Sequence, residues 1–193
     1  MHDASGSKLL QDWIARAAAR SPQKPWVIAA DDGRAVDYAR LRDFGGRFAA
    51  WFKRRSIGPN DRVALLADNS IEQLLCYFGV MAAGATVCTV HVEMNRNQLG
   101  SILDRLKPKL ILYQDGLRLD EALASADAPR LAIGRHDAPG AGTLFGELAR
   151  ATPCESETAT SPEDDAVILF TSGTSAKPKG VVLNFREFLS NID

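Results

Sequence analysis

The chain has 193 residues, 46% of them hydrophobic, and a formal net charge of −1. That length suffices for one domain with a real core, or for one and a fraction. The near-neutral charge argues against a broad surface for nucleic acid or anionic lipid, and no apolar run is long enough to span a bilayer.

Cys76, Cys88 and Cys154 are odd in number and form no Cys-x-x-Cys pair, so they read as reduced, mostly buried thiols. Asp12 and Arg16 interrupt the N-terminal apolar residues, which excludes the apolar core of a signal peptide and makes the cytoplasm the expected location.

Leu9, Leu10, Trp13, Ile14 and Ala17 recur at helical spacing, which predicts an amphipathic helix over residues 8–20 that ends at Ser21-Pro22. Trp26–Ala30 and Arg34–Val36 flank Asp31-Asp32-Gly33 and read as a hairpin. Asp37 then caps a helix carrying Tyr38, Leu41, Phe44, Phe48 and Trp51 inward. Residues 57–61 form a turn before a strand at Arg62–Leu66. Asn69 or Ser70 opens the next helix, and Gly84 closes it.

Ala85–Val90 is a buried strand. A helix opened by Asn95 or Asn97 follows and is stopped by Pro108. Lys109–Tyr113 and Arg130–Ile133 read as further strands, with short helices at Leu117–Ala124 and Leu144–Arg150. Such alternation implies βαβ units, hence an α/β fold with a doubly wound, mainly parallel sheet and flanking helices. Residues 151–164 are polar and carry Pro153 and Pro162, so they read as a surface linker between an N-terminal subdomain (1–150) and the start of a second (165–193). Glu155, Glu157, Glu163 and Asp164 in and beside that run read as solvated acids, not a metal cluster.

Beyond it, Ala166–Phe170 and Val181–Leu183 are two short apolar strands enclosing Thr171-Ser172-Gly173-Thr174-Ser175-Ala176-Lys177-Pro178-Lys179-Gly180. Hydroxyl and backbone N–H groups can wrap phosphate oxygens, and the two lysines offset their charge. Gly173 and Gly180 allow close approach and unusual dihedrals. The loop is not a Walker A motif, because no Gly precedes either lysine and a strand follows in place of a helix. Composition alone also fits an ordinary polar hairpin turn.

The ordered ten-residue run closely resembles the phosphate loop of the adenylate-forming (AMP-binding) superfamily, usually Thr-Ser-Gly-Thr-Thr-Gly-x-Pro-Lys-Gly. Asp37-Tyr38-Ala39-Arg40-Leu41, Gly58–Ala64 and Met81-Ala82-Ala83-Gly84-Ala85 resemble earlier family elements in the same order. Departures are Ser175 for Thr, Ala176 for Gly and Asn60 where Gly is common. Thr89, His91 and Val92 stand where prolines and an Asn or Asp are usual, which weighs against the peptide-synthetase branch. A His after a strand, such as His91, is by itself more often structural than substrate-binding.

The resemblance implies an acyl-CoA synthetase-like ligase using ATP, Mg2+, a small-molecule carboxylic acid and coenzyme A. Thr171, Ser172, Gly173, Thr174, Ser175, Lys177, Lys179 and Gly180 would serve the ATP phosphates, with Lys179 at the family's recurrent lysine and Lys177 at a variable position. The resemblance places the magnesium-coordinating acid, the adenine pocket and the C-terminal lysine further on in the family, so the chain reads as an inactive N-terminal part with no catalytic residue and no metal ligand of its own. Two alternatives stay open: a non-catalytic binding or assembly module that keeps the fold, and a different nucleotide enzyme that shares only the loop.

Overall fold

The computed structural model describes residues 9–117, 127–154, 160–171 and 179–190. The chain runs through α1 (Leu10–Arg20), β1 (Pro25–Ile28), β2 (Ala35–Asp37), α2 (Tyr38–Lys53), β3 (Arg62–Leu66), α3 (Ile71–Ala82) and β4 (Thr86–Thr89). It continues through α4 (Arg96–Leu106), β5 (Leu110–Tyr113), β6 (Arg130–Ala132), α5 (Leu144–Ala149), β7 (Asp165–Thr171), β8 (Lys179–Asn184) and α6 (Phe185–Leu189). Leu117 apart, the short helix expected at Leu117–Ala124 lies outside the described residues.

Local chemistry sets most helix ends. The Asp37 carboxylate accepts from the Arg40 N–H at 2.8 Å, the Ser70 hydroxyl from Gln73 at 3.0 Å, and the Asn95 amide oxygen from Gln98 at 2.9 Å. Each satisfies one of the orphan donors in a helix's first turn. At the far end of α3 the Gly84 N–H donates to the Met81 carbonyl and the Ala85 N–H to that of Val80. That is a Schellman closure, and it needs the φ of 85° that Gly84 adopts. The turn before β3 places Asn60 at a φ of 63°. Asparagine tolerates this left-handed conformation better than most residues, which explains how it can stand where the family commonly has Gly.

β1 and β2 pair antiparallel as the expected hairpin, turned by Asp31–Arg34 with Gly33 at a φ of 72°. The other six strands form one sheet in the order β6-β5-β3-β4-β7-β8, parallel throughout except for β8 against β7. β7 pairs with β4, so hydrogen bonding of a single sheet joins the strands on either side of residues 151–164.

Strand alternation splits the core between the two faces. Val63, Leu65, Val87, Leu110 and Leu112 pack with α1, α2, α3 and α5, where Phe48, Trp51, Phe52 and Phe145 are buried. Ala64, Leu66, Cys88, Ile111 and Ile168 face α4 through Leu99, Ile102, Leu103 and Leu106. Each large side chain buried in this way stabilises the fold by about 1.5–3 kcal/mol. α2 and α3 touch closely at Gly79, where a Cβ would come within 2.3 Å of the Phe48 ring.

Two details differ from expectation. Tyr38 is only partly buried, because it opens α2 at the edge of the core and meets Trp13 edge-on at 6.1 Å. Cys154 is exposed, whereas Cys76 and Cys88 are buried among apolar neighbours. That burial pushes the Cys88 thiol up to about 12 and the Cys76 thiol well above its usual value, so both stay protonated. No helix of the described residues is long and apolar enough to cross a membrane.

Candidate phosphate-binding site

β3 leads into α3 on one face of the sheet, whereas β4 leads into α4 on the other. Open α/β sheets bind ligands at the carboxyl ends of strands where the connections part in this way. The segment after β7 opens at the same edge, one strand over. It joins β7 to β8, and the two strands pair in register with Phe170 opposite Gly180 and Thr171 opposite Lys179.

The eight residues expected to bind phosphate divide accordingly. Thr171, Lys179 and Gly180 belong to the paired strands and close the mouth of the loop. Ser172, Gly173, Thr174, Ser175 and Lys177 lie outside the described residues. Lys179 is exposed on β8.

Gly180 departs from the expectation of unusual dihedrals. It is a strand residue without a positive φ. Its missing side chain serves close packing instead, since a Cβ there would lie 3.2 Å from the Ile168 methyl and 3.3 Å from the Phe170 ring. The ring before the loop thus rests against the backbone after it.

The opposite end of the hairpin is fixed by side chains. The Thr86 hydroxyl donates to the Asp165 carbonyl at 2.8 Å. The Asn60 amide reaches both neighbours, donating to Asp164 at 2.8 Å and accepting from the Asp165 N–H at 2.9 Å. α6 follows β8 directly through a capping box, in which Asn184 and Glu187 each bond the other's backbone N–H. Arg186 pairs with Glu163, and Asp164 binds the Ser161 N–H through its carboxylate. These two acids, read from sequence as solvated, are therefore partnered.

A second polar assembly was not legible in the sequence. Glu72, in the first turn of α3, accepts from Arg34 at 2.7 Å and lies 2.7 Å from the His136 Nδ1. Asp137 pairs with Arg135 at 2.8 Å and lies 3.8 Å from Arg34, which also binds Asp32 at 2.5 Å. The Phe44 and Phe145 rings stand edge-on to His136 at 6.2 and 6.1 Å. Burial by itself would raise the Glu72 carboxyl, but the hydrogen bonds from His136 and Arg34 outweigh it and hold the group at about 2. Arg135 holds Asp137 at about 2 as well. Glu72, His136 and Asp137 could each offer a ligand atom within 4.8 Å of the others. Arg34 and Arg135 already occupy those carboxylates, so a cation would have to displace two guanidinium groups. The assembly is an internal ion-pair network. Its only local signal was an acid at a helix start, which needs no distant partner.

Together these features define an α/β fold with a mainly parallel sheet, in which β7 and β8 flank the hydroxyl- and lysine-bearing stretch of the sequence. The family profile "AMP-binding enzyme" matches residues 14–193, and the chain belongs to that family. It is 31% identical to 4-coumarate–CoA ligase 2 of Oryza sativa subsp. japonica, over 95% of the chain and 35% of that protein. It is 28% identical to tyrocidine synthase 2 of Brevibacillus parabrevis, over 92% of the chain and 4% of that protein. The fold superposes with a TM-score of 0.82 on the luciferase-like enzyme from the nonluminescent Zophobas morio mealworm, at 19% identity over 98% of the chain and 46% of that structure. The chain therefore spans 35% or less of the length of these two curated relatives.

Proposed function

We propose that the chain is the phosphate-gripping N-terminal part of an ATP-dependent ligase. In the first step a carboxylate oxygen of the acid attacks the α-phosphorus of ATP. The bond from that phosphorus to the bridging oxygen breaks, giving an acyl-adenylate and pyrophosphate. A thiol sulfur then attacks the acyl carbon, AMP leaves, and a thioester forms. Coenzyme A is our preferred thiol, and a cytoplasmic location belongs to the same reading. The single observation that carries the proposal is a family match extending to the ten-residue loop, whose flanks pair at the carboxyl edge of the sheet.

Within this reading the chain's own residues hold a polyanion while charge moves onto departing pyrophosphate, which is positioning plus electrostatic stabilisation. Thr171, Ser172, Thr174 and Ser175 donate hydroxyl or backbone hydrogen bonds, Gly173 leaves room, and Lys179 offsets charge. Lys177 adds charge from a variable position. Gly180 closes the loop and also seats the Phe170 ring. Mg2+, when bound with ATP, would neutralise phosphate charge; no ligand for it is assigned to the described residues.

The test is acid-dependent ATP–pyrophosphate exchange by the protein carrying this chain, screened over a panel of carboxylic acids. Exchange with at least one acid is expected. Phosphate binding without exchange for any acid would favour a different nucleotide enzyme that shares only the loop.

A further inference from the structure

A half-open cavity of about 540 Å³ lies where α1, α2 and the end of α3 meet, with Pro153 and Cys154 as a further wall. That volume falls within the range of small-molecule sites, roughly 300–1,000 Å³. Small residues leave the space. Ala15, Gly45 and Ala82 line it, where longer side chains would have filled the junction of the helices. Gly46 lets the wall come close: a Cβ there would lie 3.0 Å from the Pro153 Cβ, and the Gly46 carbonyl accepts the Cys154 N–H at 3.1 Å. α3 leaves the carboxyl edge of the sheet after β3, and Ala82 ends it just before β4. The cavity therefore belongs to the amino edge, away from the edge where β7 ends.

Two charges around the cavity are not answered within the protein. Asp43 is held by Arg47 at 2.6 Å. Among the described residues, however, the Asp12 and Arg42 side chains make no hydrogen bond or ion pair, with each other or with any neighbour. One carboxylate and one guanidinium thus line the same cavity unpaired. Gln11, beside Asp12, also lines it, and its buried amide oxygen has no hydrogen-bond partner. Buried acceptors in folded proteins are nearly always satisfied, so this one marks a wall that is short of a donor. A simple anion would be opposed by Asp12, and a simple cation by Arg42. A neutral hydrocarbon would leave both charges unanswered. A small zwitterion answers both, because its carboxylate suits the guanidinium and its ammonium group brings donors.

We propose that this cavity binds a small aliphatic α-amino acid. Its carboxylate pairs with Arg42, its ammonium group with Asp12 and Gln11, and its side chain lies over Ile14, Ala15 and Ala82. The site is separate from the phosphate loop and does not depend on the ligase reading. A protein that failed to exchange pyrophosphate would still carry it.

Cys154 lines the cavity and is exposed, whereas Cys76 and Cys88 are buried, so a single thiol reports occupancy. The experiment follows iodoacetamide alkylation of Cys154 in the full chain by mass spectrometry, at increasing L-valine. 3-Methylbutanoate and isobutylamine serve as analogues that keep the branched carbon skeleton and only one of the two charges. The expected result is saturable slowing by L-valine and none by either analogue over the same concentrations. R42A and D12A should each weaken the protection about tenfold, the scale of one charge-assisted hydrogen bond. The rate of Cys154 alkylation without ligand, and the protection of Cys76 and Cys88, should stay as in the wild type and so report an intact fold. No protection by L-valine, equal protection by all three compounds, or unchanged protection in both R42A and D12A would each overturn the proposal.

Discussion

The chain has two polar assemblies, and they are built in opposite ways. The proposed phosphate loop is a run of ten consecutive residues whose two ends lie in paired strands. The Glu72 network gathers Asp32, Arg34, Glu72, Arg135, His136 and Asp137 from three separate parts of the chain. In the network, acids and bases answer one another inside the protein. In the loop, the chemistry is a run of donors suited to an anion from outside. Internal partners make a charge structural, whereas a contiguous donor run at a sheet edge makes it available for binding.

The comparison is tested most severely by removing the network's central acid. Glu72→Ala would leave Arg34 with Asp32 and the more distant Asp137, and the buried His136 Nδ1 without its hydrogen-bond partner. A loss of about 3–5 kcal/mol is expected, read by chemical denaturation of the chain. Retention of wild-type stability would mean that the network is not structural. Thr174→Ala should do the reverse, slowing pyrophosphate exchange about a hundredfold, or about 2.7 kcal/mol, with the melting temperature unchanged. A melting-temperature drop of several degrees would move Thr174 to the structural side.

Asn60→Ala falls between the two. It removes two hydrogen bonds at the base of the hairpin and puts a Cβ residue less tolerant of the left-handed conformation at φ 63°. About 1–2 kcal/mol of stability should go, while Asn60→Gly should lose less because glycine adopts that φ freely. Equal losses in the two variants would show that the backbone conformation contributes nothing.

Acid is the gentlest perturbation. Glu72 and Asp137 both have folded-state values lowered to about 2. For a depressed carboxyl, the stability it contributes is present above its ordinary range near pH 4 and is lost as pH falls toward 2. Denaturation midpoints should therefore decline between about pH 4.5 and 2. The decline should be shallower in Glu72→Gln, and an unaltered slope there would remove Glu72 as a cause.

Much of the fold was legible because its signals are local. Asp37, Ser70 and Asn95 each bond an N–H three residues ahead, so the capping pattern and its partner sit in one short window. Gly84 closes α3 with donors and acceptors no more than five residues apart. Arg62–Leu66 read as a strand from sequence, and the structure places α3 and α4 over its two faces. The loop was legible for the same reason, being a continuous motif.

What stayed hidden depends on contacts between residues far apart in the chain. The exposure of Cys154 could not be read from its neighbours, and neither could the return of β7 to the side of β4 across residues 151–164. Gly180 read from sequence as a glycine of the loop, and the close packing of the Phe170 ring against it across the hairpin is visible only once the register is known.

By itself, the sequence determined the elements, their caps, the α/β class and the loop motif, because periodicity and capping act within a few residues. Tertiary structure decided the strand order, the union of Glu72 with Arg34 and His136, and the register that sets Thr171 opposite Lys179. Those are properties of pairing between segments, and a pairing energy is set by both partners together, so neither segment encodes it alone.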